Sequence, residues 1–384
     1  MAAGPPPAAE PPFAFPHPRG GPPVRLSDLG FGPFQEPSFA PYASRGLVPG
    51  RVAFESRETY RVLTGDGERL ADLSGRLRHS AGEPADLPAV GDWVALRDVP
   101  SDGFGLVEAV LPRASRLLRK AAGEGCAAQL LAANVDVLLV AASLEREPNE
   151  RSLERYLAMA REGGVRPVVL LTKGDLDARG AERALPLSAL LGGVEVIAVS
   201  AASGAGLDRL GRLLAPGSTA ALAGPSGAGK STLVNRLLGE ERQATRTVRE
   251  EDLRGRHATT ARQLFVLPSG ALLVDTPGLR ELGLLDGASV AAGFPEIEGL
   301  ARGCRFRDCS HDGEPGCAVA RAAASGEIDP ARVEARAKLV REAESLALRQ
   351  SVGAARAERL RWKAFTGRPA RERARALRDG GGER

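Results

Sequence analysis

The octapeptide Gly224-Pro225-Ser226-Gly227-Ala228-Gly229-Lys230-Ser231 has the G-x-x-x-x-G-K-S spacing of a phosphate-binding loop. The apolar run Thr219 to Ala223 precedes it and a helical stretch follows. Its glycines let the backbone wrap an anion, with N–H groups pointing inward at a helix N-terminus. Lys230 would then balance β- and γ-phosphate charge, the Ser231 hydroxyl would ligate magnesium, and Thr232 completes the nucleotide-facing turn. Thr172-Lys173-Gly174-Asp175 ends a second apolar run, Val165 to Leu171. A carboxylate at Asp175 accepts from the ring imino and exocyclic amino groups of guanine, a donor pair that adenine lacks. If buried, it rejects ATP by being left unpaired. Lys173 is expected along the base and the phosphate loop, with Ser200-Ala201 supporting the base from the other side. Asp275-Thr276-Pro277-Gly278 follows a third apolar run, which assigns Asp275 to the magnesium and the Gly278 N–H to the γ-phosphate.

Gly255-Arg256-His257-Ala258-Thr259-Thr260 lies between the phosphate loop and Asp275. Thr259 or Thr260 is the expected switch ligand to magnesium, and the spacing does not choose between them. Leu279 cannot orient an attacking water, so another group must. His257 fits that catalytic role by chemistry and position; an RNA contact or local packing is the other reading. Cys304, Cys309, His311 and Cys317 fall within fourteen residues. Three thiolates and one imidazole can close a tetrahedral structural zinc site with no open position. Cys126 stands apart and reads as an ordinary small side chain.

The elements that must position these groups divide by texture. Residues 1–45 are Pro- and Gly-rich without an apolar period and read as a disordered leader, lacking the features of a signal or transit peptide. Residues 46–112 carry short alternating runs, at Arg51 to Phe54, Thr59 to Leu63, Asp92 to Leu96 and Gly105 to Val110, separated by turn signals such as Gly65-Asp66-Gly67. They suit a small β-barrel. An oligonucleotide-binding (OB) fold leads, and an SH3-like barrel would look similar. Residues 113–290 alternate compact apolar runs with helices such as Glu150 to Arg161, the pattern of a central α/β P-loop domain. Residues 291–353 hold the cysteine cluster and a long charged helix opened by Pro330, a mainly helical module. Residues 354–384 form a basic tail. From Arg356 on it has ten Lys or Arg against four Asp or Glu, with Trp362 and Phe365 among them, which suits RNA.

The chain has 384 residues, 43% hydrophobic and 26% charged, with a net charge of +4. That composition belongs to a multidomain globular protein, and no apolar run approaches the ~20 residues of a membrane span. A cytoplasmic monomer without membrane contact is expected.

The base-reading motif precedes the phosphate loop, the reverse of the ordinary order in small GTPases. In that order the chain resembles the ribosome small-subunit-dependent GTPases of the RsgA (YjeQ) type, which are circularly permuted. The resemblance covers roughly residues 46–350. It rests on Leu131-Ala132-Ala133-Asn134-Val135-Asp136, the motifs above, Asp275 to Leu279, and Cys304-Arg305-Phe306-Arg307-Asp308-Cys309-Ser310-His311 leading into Glu314 to Val319. It implies an OB barrel, a permuted GTPase domain and a zinc module. It also implies a GTP phosphohydrolase acting in late maturation of the small ribosomal subunit, binding its rRNA, with subunit-stimulated conversion of GTP to GDP. The family's switch histidine aligns with His257. Ala258 replaces a usual threonine, and the tyrosines typical after the zinc loop are absent from Ala331 to Val340. The competing class is an rRNA-binding assembly factor in which the nucleotide is structural and hydrolysis incidental. The permuted order also predicts a short connection from Asp275–Leu279 into the zinc module, coupling the γ-phosphate sensor to it.

Overall fold

The computed structural model describes residues 25–56, 59–99, 104–119, 129–177, 179–239, 262–275 and 287–352. The N-terminal segment differs from expectation. Leu26–Leu29 forms a 3₁₀ turn and Glu36–Ala43 a helix, α1, rather than solvated chain. Leu29 and Phe39 are buried, and the Phe31 ring meets Trp93 edge-on with centroids 4.9 Å apart. These apolar residues follow no single period, so sequence patterning misses them. They become core only because another part of the chain presents Trp93.

Strands β1 (Val48–Glu55), β2 (Tyr60–Thr64), β3 (Gly67–Leu73), β4 (Trp93–Val99) and β5 (Phe104–Val110) close a barrel in the order 1-2-3-5-4-1. The β3–β5 pair is parallel and a short helix, α2 (Gly75–Ser80), leads from β3 towards β4, so the barrel is an OB fold. β1 serves both sides of the closure, pairing Val48–Arg51 with β4 and Arg51–Glu55 with β2. At that crossing a side chain on Gly50 would meet Val62 Cγ1 at 2.4 Å. Val52, Val62, Ala71, Val94, Leu96 and Val107 fill the interior. β3 escapes the sequence pattern because Glu68, Arg69 and Asp72 break its apolar alternation.

Beyond the barrel, β6 (Arg116–Arg119) and β7 (Gln129–Ala133) form a separate antiparallel pair. Then β8 (Val137–Ser143), α3 (Glu150–Glu162), β9 (Arg166–Thr172), α4 (Gly180–Leu190), β10 (Val196–Ala198), α5 (Leu207–Leu213), β11 (Thr219–Ala223) and α6 (Lys230–Leu238) alternate. β12 (Arg262–Val266) and β13 (Leu272–Asp275) follow. The parallel order is β10-β9-β8-β11-β13. Leu138 and Val140 face one core and Leu139 and Ala141 the other, so these strands read as unbroken apolar runs. Antiparallel β12 caps the edge and also pairs with β1, at Phe54 opposite Gln263, which joins barrel and α/β sheet into eleven continuous strands.

Arg51 pins the junction. Fully enclosed, it donates to Leu29 O (2.5 Å), Gly91 O (3.2 Å), Asn134 O (2.9 Å) and Thr219 Oγ1 (2.9 Å). Burial draws its pKa down to about 10, while Asp136 and Asp92 hold the charge on. Arg51→Met should cost about 3 kcal/mol or more, because several buried acceptors lose their donor together. A urea midpoint that moves by less than about 1 kcal/mol equivalent would contradict this.

α7 (Gly287–Gly293), α8 (Pro295–Ala301), α9 (Ala318–Ser325) and α10 (Pro330–Val352) build the C-terminal module around Val290, Phe294, Ile297, Val319 and Leu339. No helix among the described residues is long and apolar enough to cross a membrane.

Candidate functional site

The nucleotide motifs converge at the carboxyl ends of the parallel strands, where α/β sheets bind ligands. β11 delivers Gly224, whose φ of 131° is open to glycine, and a Cβ there would meet Ala141 O at 2.4 Å. The loop therefore lies against β8. Gly227 (φ 80°) and Gly229 (φ 75°) complete the left-handed turns into α6. Buried Lys230 arches back, its Nζ donating to Gly224 O at 2.6 Å and Pro225 O at 2.5 Å. Pro225, Ser226 and Gly227 are exposed, Ala228 is buried, and Ser231 is half-buried beside exposed Thr232 on the first turn of α6. Asp275 is buried at the end of β13, in register with Leu222 of β11. Loop, Lys230 and Asp275 thus share one strand edge.

β9 ends at Thr172, whose Oγ1 donates to Ala228 O (2.8 Å) and lies 3.2 Å from Ala142 O. The base motif is hydrogen-bonded directly to the phosphate loop. Lys173 takes a left-handed conformation (φ 60°) and its Nζ pairs with Glu145 Oε2 at 2.5 Å. Gly174 N–H donates to Val199 O at 3.0 Å, tying the turn to the end of β10. Buried Ser200 donates through Oγ to Asp175 Oδ1 at 2.5 Å and accepts from Ser203 N–H at 3.1 Å. That hydroxyl, with Asp175's own backbone N–H, holds the Asp175 carboxyl below the usual range. Ala201 is half-buried beside it. One expectation needs correcting: Asp175 is exposed, not buried. Rejection of adenine by an unpaired buried carboxylate therefore requires the base itself to cover the group.

Sequence patterning missed Glu145, the partner of Lys173. It lies in no motif, and only the loop after β8 brings it to the site. Gly255, His257, Thr259, Thr260, Gly278, Leu279 and Cys126 lie outside the described residues.

At the far end, Cys304, Cys309, His311 and Cys317 offer ligand atoms all within 4.8 Å of one another. Cys304 Sγ is 3.7 Å from His311 Nδ1 and 3.9 Å from Cys317 Sγ, and Cys317 Sγ is 3.6 Å from His311 Nδ1. A tetrahedron with ~2.3 Å metal–sulfur bonds has edges of about 3.8 Å, so the donors fit one zinc. Backbone N–H groups of Ala318 and Ala320 point at the Cys304 and Cys317 sulfurs, and Cys317 caps α9, an arrangement that favours thiolates. Glu314, also missed, accepts from Ser310 N–H (2.8 Å) and Asp312 N–H (2.9 Å), bracing the turn where His311 adopts φ 65°. The Ser310 hydroxyl and these amides lower its pKa to about 2.

The family description "RsgA GTPase" matches residues 110–285. The small ribosomal subunit biogenesis GTPase RsgA of Opitutus terrae is 47% identical over 363 residues, 91% of this chain and 98% of that one. The chain belongs to the RsgA GTPase family. Its members are GTP-hydrolysing enzymes. The RsgA of Syntrophotalea carbinolica is 41% identical, covering 88% of this chain and 95% of its own. The crystal structure of YjeQ from Thermotoga maritima aligns with a TM-score of 0.61 at 26% identity, over 77% of this chain and 98% of that one. YloQ, described as a circularly permuted GTPase, aligns at 0.58 and 22% identity over 78% and 95%, and shares the fold. The permuted order of motifs is thus carried by the RsgA architecture.

Proposed function

We propose that this RsgA-family enzyme hydrolyses GTP to GDP and phosphate while bound to the small ribosomal subunit late in its maturation, and that the subunit stimulates turnover. The Thr172–Ala228 hydrogen bond carries the nucleotide half of this reading, because it makes the guanine-reading and phosphate-binding loops one site. Thr172 to Asp175, Ser200 and Ala201 hold the base. Gly224 to Thr232 hold the phosphates, with Lys230 on the β- and γ-oxygens. Ser231, Asp275 and one of Thr259 or Thr260 would hold magnesium, which supplies charge neutralisation at the phosphates when bound. Gly278 contacts the γ-phosphate and His257 orients the water.

The relatives' names, small ribosomal subunit biogenesis GTPase, support the ribosomal half. The OB barrel of 46–112, the zinc module of 291–353 and the basic tail of 354–384 flank the GTPase domain of 113–290 and supply the rRNA contacts. The protein works as a cytoplasmic monomer. GTP turnover measured with and without purified small subunits, with ATP as control, tests the proposal. Strong GTP-selective stimulation is expected, and equal rates with and without subunits would refute it. His257→Ala should bind GTP normally yet lose the stimulation; a normal stimulated rate would remove His257 from the chemistry.

Asp175→Asn replaces an acceptor with a donor facing the guanine N–H groups. GTP affinity should fall by about 1.5–3 kcal/mol, roughly 10- to 150-fold, while XTP, which reverses one donor, should gain. Titration with fluorescent nucleotides reads both. Unchanged preference would exclude Asp175 from base recognition.

A further inference from the structure

The zinc loop carries an aromatic ring that the core of its module does not use. Phe306 is 44% exposed, although Phe294, Ile297, Val319 and Leu339 form an apolar core in the same module. Of the large apolar side chains exposed among the described residues, it alone is flanked in sequence by two arginines, Arg305 and Arg307. The Arg305 guanidinium lies over one face of the ring, 5.5 Å from its centre, so a flat partner would take the other face. The segment bearing the ring is short and braced. Cys304 and Cys309 bound it and belong to one donor cluster, and the Arg305 N–H donates to Gly316 O at 3.2 Å. Gly316 (φ 79°) lies so close that a Cβ on it would meet Arg305 Cβ at 3.0 Å. Arg302, Arg305 and Arg307 are all exposed, with no carboxylate partner among the described residues. On the barrel the reverse holds. Leu70 and Phe104 are exposed cross-strand neighbours there, but Arg61, Arg69, Arg78 and Arg97 pair with Glu68, Asp98, Asp72 and Glu108.

We propose that Phe306 is a stacking platform for an unpaired base of RNA, with Arg305 and Arg307 holding the phosphates beside it. An aromatic face accepts any base, whereas a base inside a duplex is already stacked on its neighbours and does not reach it. Guanidiniums without carboxylate partners are available to phosphate, because their charge is not already neutralised within the protein. Since the loop is braced, little ordering entropy opposes binding. Exposed Asp308 and Asp312 on the same loop limit the local field, which suits a single nucleotide rather than a long backbone track. Phe306 thereby gives the proposed rRNA contact of the zinc module, on which this role rests, a residue and a class of RNA.

Binding of the zinc-loaded full chain is measured by anisotropy to a fluorescein-labelled single-stranded RNA oligonucleotide and to a duplex of the same sequence. Phe306→Ala and Phe306→Leu should each weaken single-strand binding about tenfold, the effect of losing one stacked base, and leave duplex binding within about twofold. Phe306→Tyr and Phe306→Trp should bind like wild type. Arg307→Ala should lower the slope of log affinity against log salt by about one, while Phe306→Ala leaves that slope unchanged. Leucine keeps the apolar bulk without the π face, so a Phe306→Leu protein that binds like wild type overturns stacking. Unchanged single-strand affinity in Phe306→Ala, or an equal loss on the duplex, overturns it too. Zinc content and exchange protection in α9 report whether the variants fold; should Phe306→Ala lose either, the leucine and tyrosine variants decide. The same variants are then bound to purified small subunits. A loss there with free RNA unaffected would put a ribosomal protein against Phe306 and reject the RNA contact. Wild-type turnover that subunits fail to stimulate would refute the subunit reading instead, and leaves the oligonucleotide result standing.

Discussion

Lys230→Ala should lower GTP turnover by at least about 10³-fold, with the loss in kcat rather than only in KM. Phosphoryl transfer leaves the protein little covalent work, and most catalysis is the neutralisation of charge on the transferring group. Lys230 is the cation that the loop wraps around. Its ammonium, buried and held 2.6 Å from Gly224 O and 2.5 Å from Pro225 O, is already poised over the loop. Little reorganisation is therefore needed when an anion arrives. Alanine removes that charge and frees two carbonyls, so GTP affinity should fall as well. Single-turnover assays at saturating GTP separate the two effects. An undiminished rate would sink the assignment of the site, since no other lysine lies in the loop.

Zinc removal should unfold the C-terminal module and leave the barrel and the α/β sheet folded. Structural zinc in small modules contributes about 10–16 kcal/mol of apparent binding energy at neutral pH, far more than a core the size of that around Phe294, Ile297 and Leu339 supplies. Metal analysis should find about one zinc per chain. Chelation, or Cys304→Ser, should erase hydrogen-exchange protection in α9 and in the docked part of α10. Acidification should act in the same direction, because thiolates and a neutral imidazole must bind protons to let go. Burial and nearby Arg336 already hold His311 towards the neutral form, so its proton competes only at lower pH than usual. A zinc-free chain with full protection in α9 would remove the metal from the account.

The two experiments address groups of very different visibility. The phosphate loop, Thr172 to Asp175 and the Cys304–Cys317 cluster were legible because each is a short run whose spacing alone dictates its chemistry. Apolar runs at Val137–Ser143 and Thr219–Ala223 betrayed buried parallel strands for the same local reason. The folded N-terminal segment was not legible. Leu29 and Phe39 have no period of their own, and their burial depends on Trp93 and the barrel. Nor was the exposure of Asp175, which depends on how far the turn after β9 projects from the sheet.

Sequence by itself pointed to the family, the permuted order and the residue sets that would hold a nucleotide and a zinc ion. Each is written in contiguous residues whose backbone geometry and donor atoms are fixed within a few bonds. Tertiary structure alone decided that Arg51 joins the barrel to the sheet, that β12 makes one surface of eleven strands, and that α3 is covered on both faces. Glu154 on an amphipathic helix reads as a solvent-facing charge until Arg332, far along the chain, takes it out of water. Burial is a property of two surfaces meeting, and a linear pattern describes only one of them at a time.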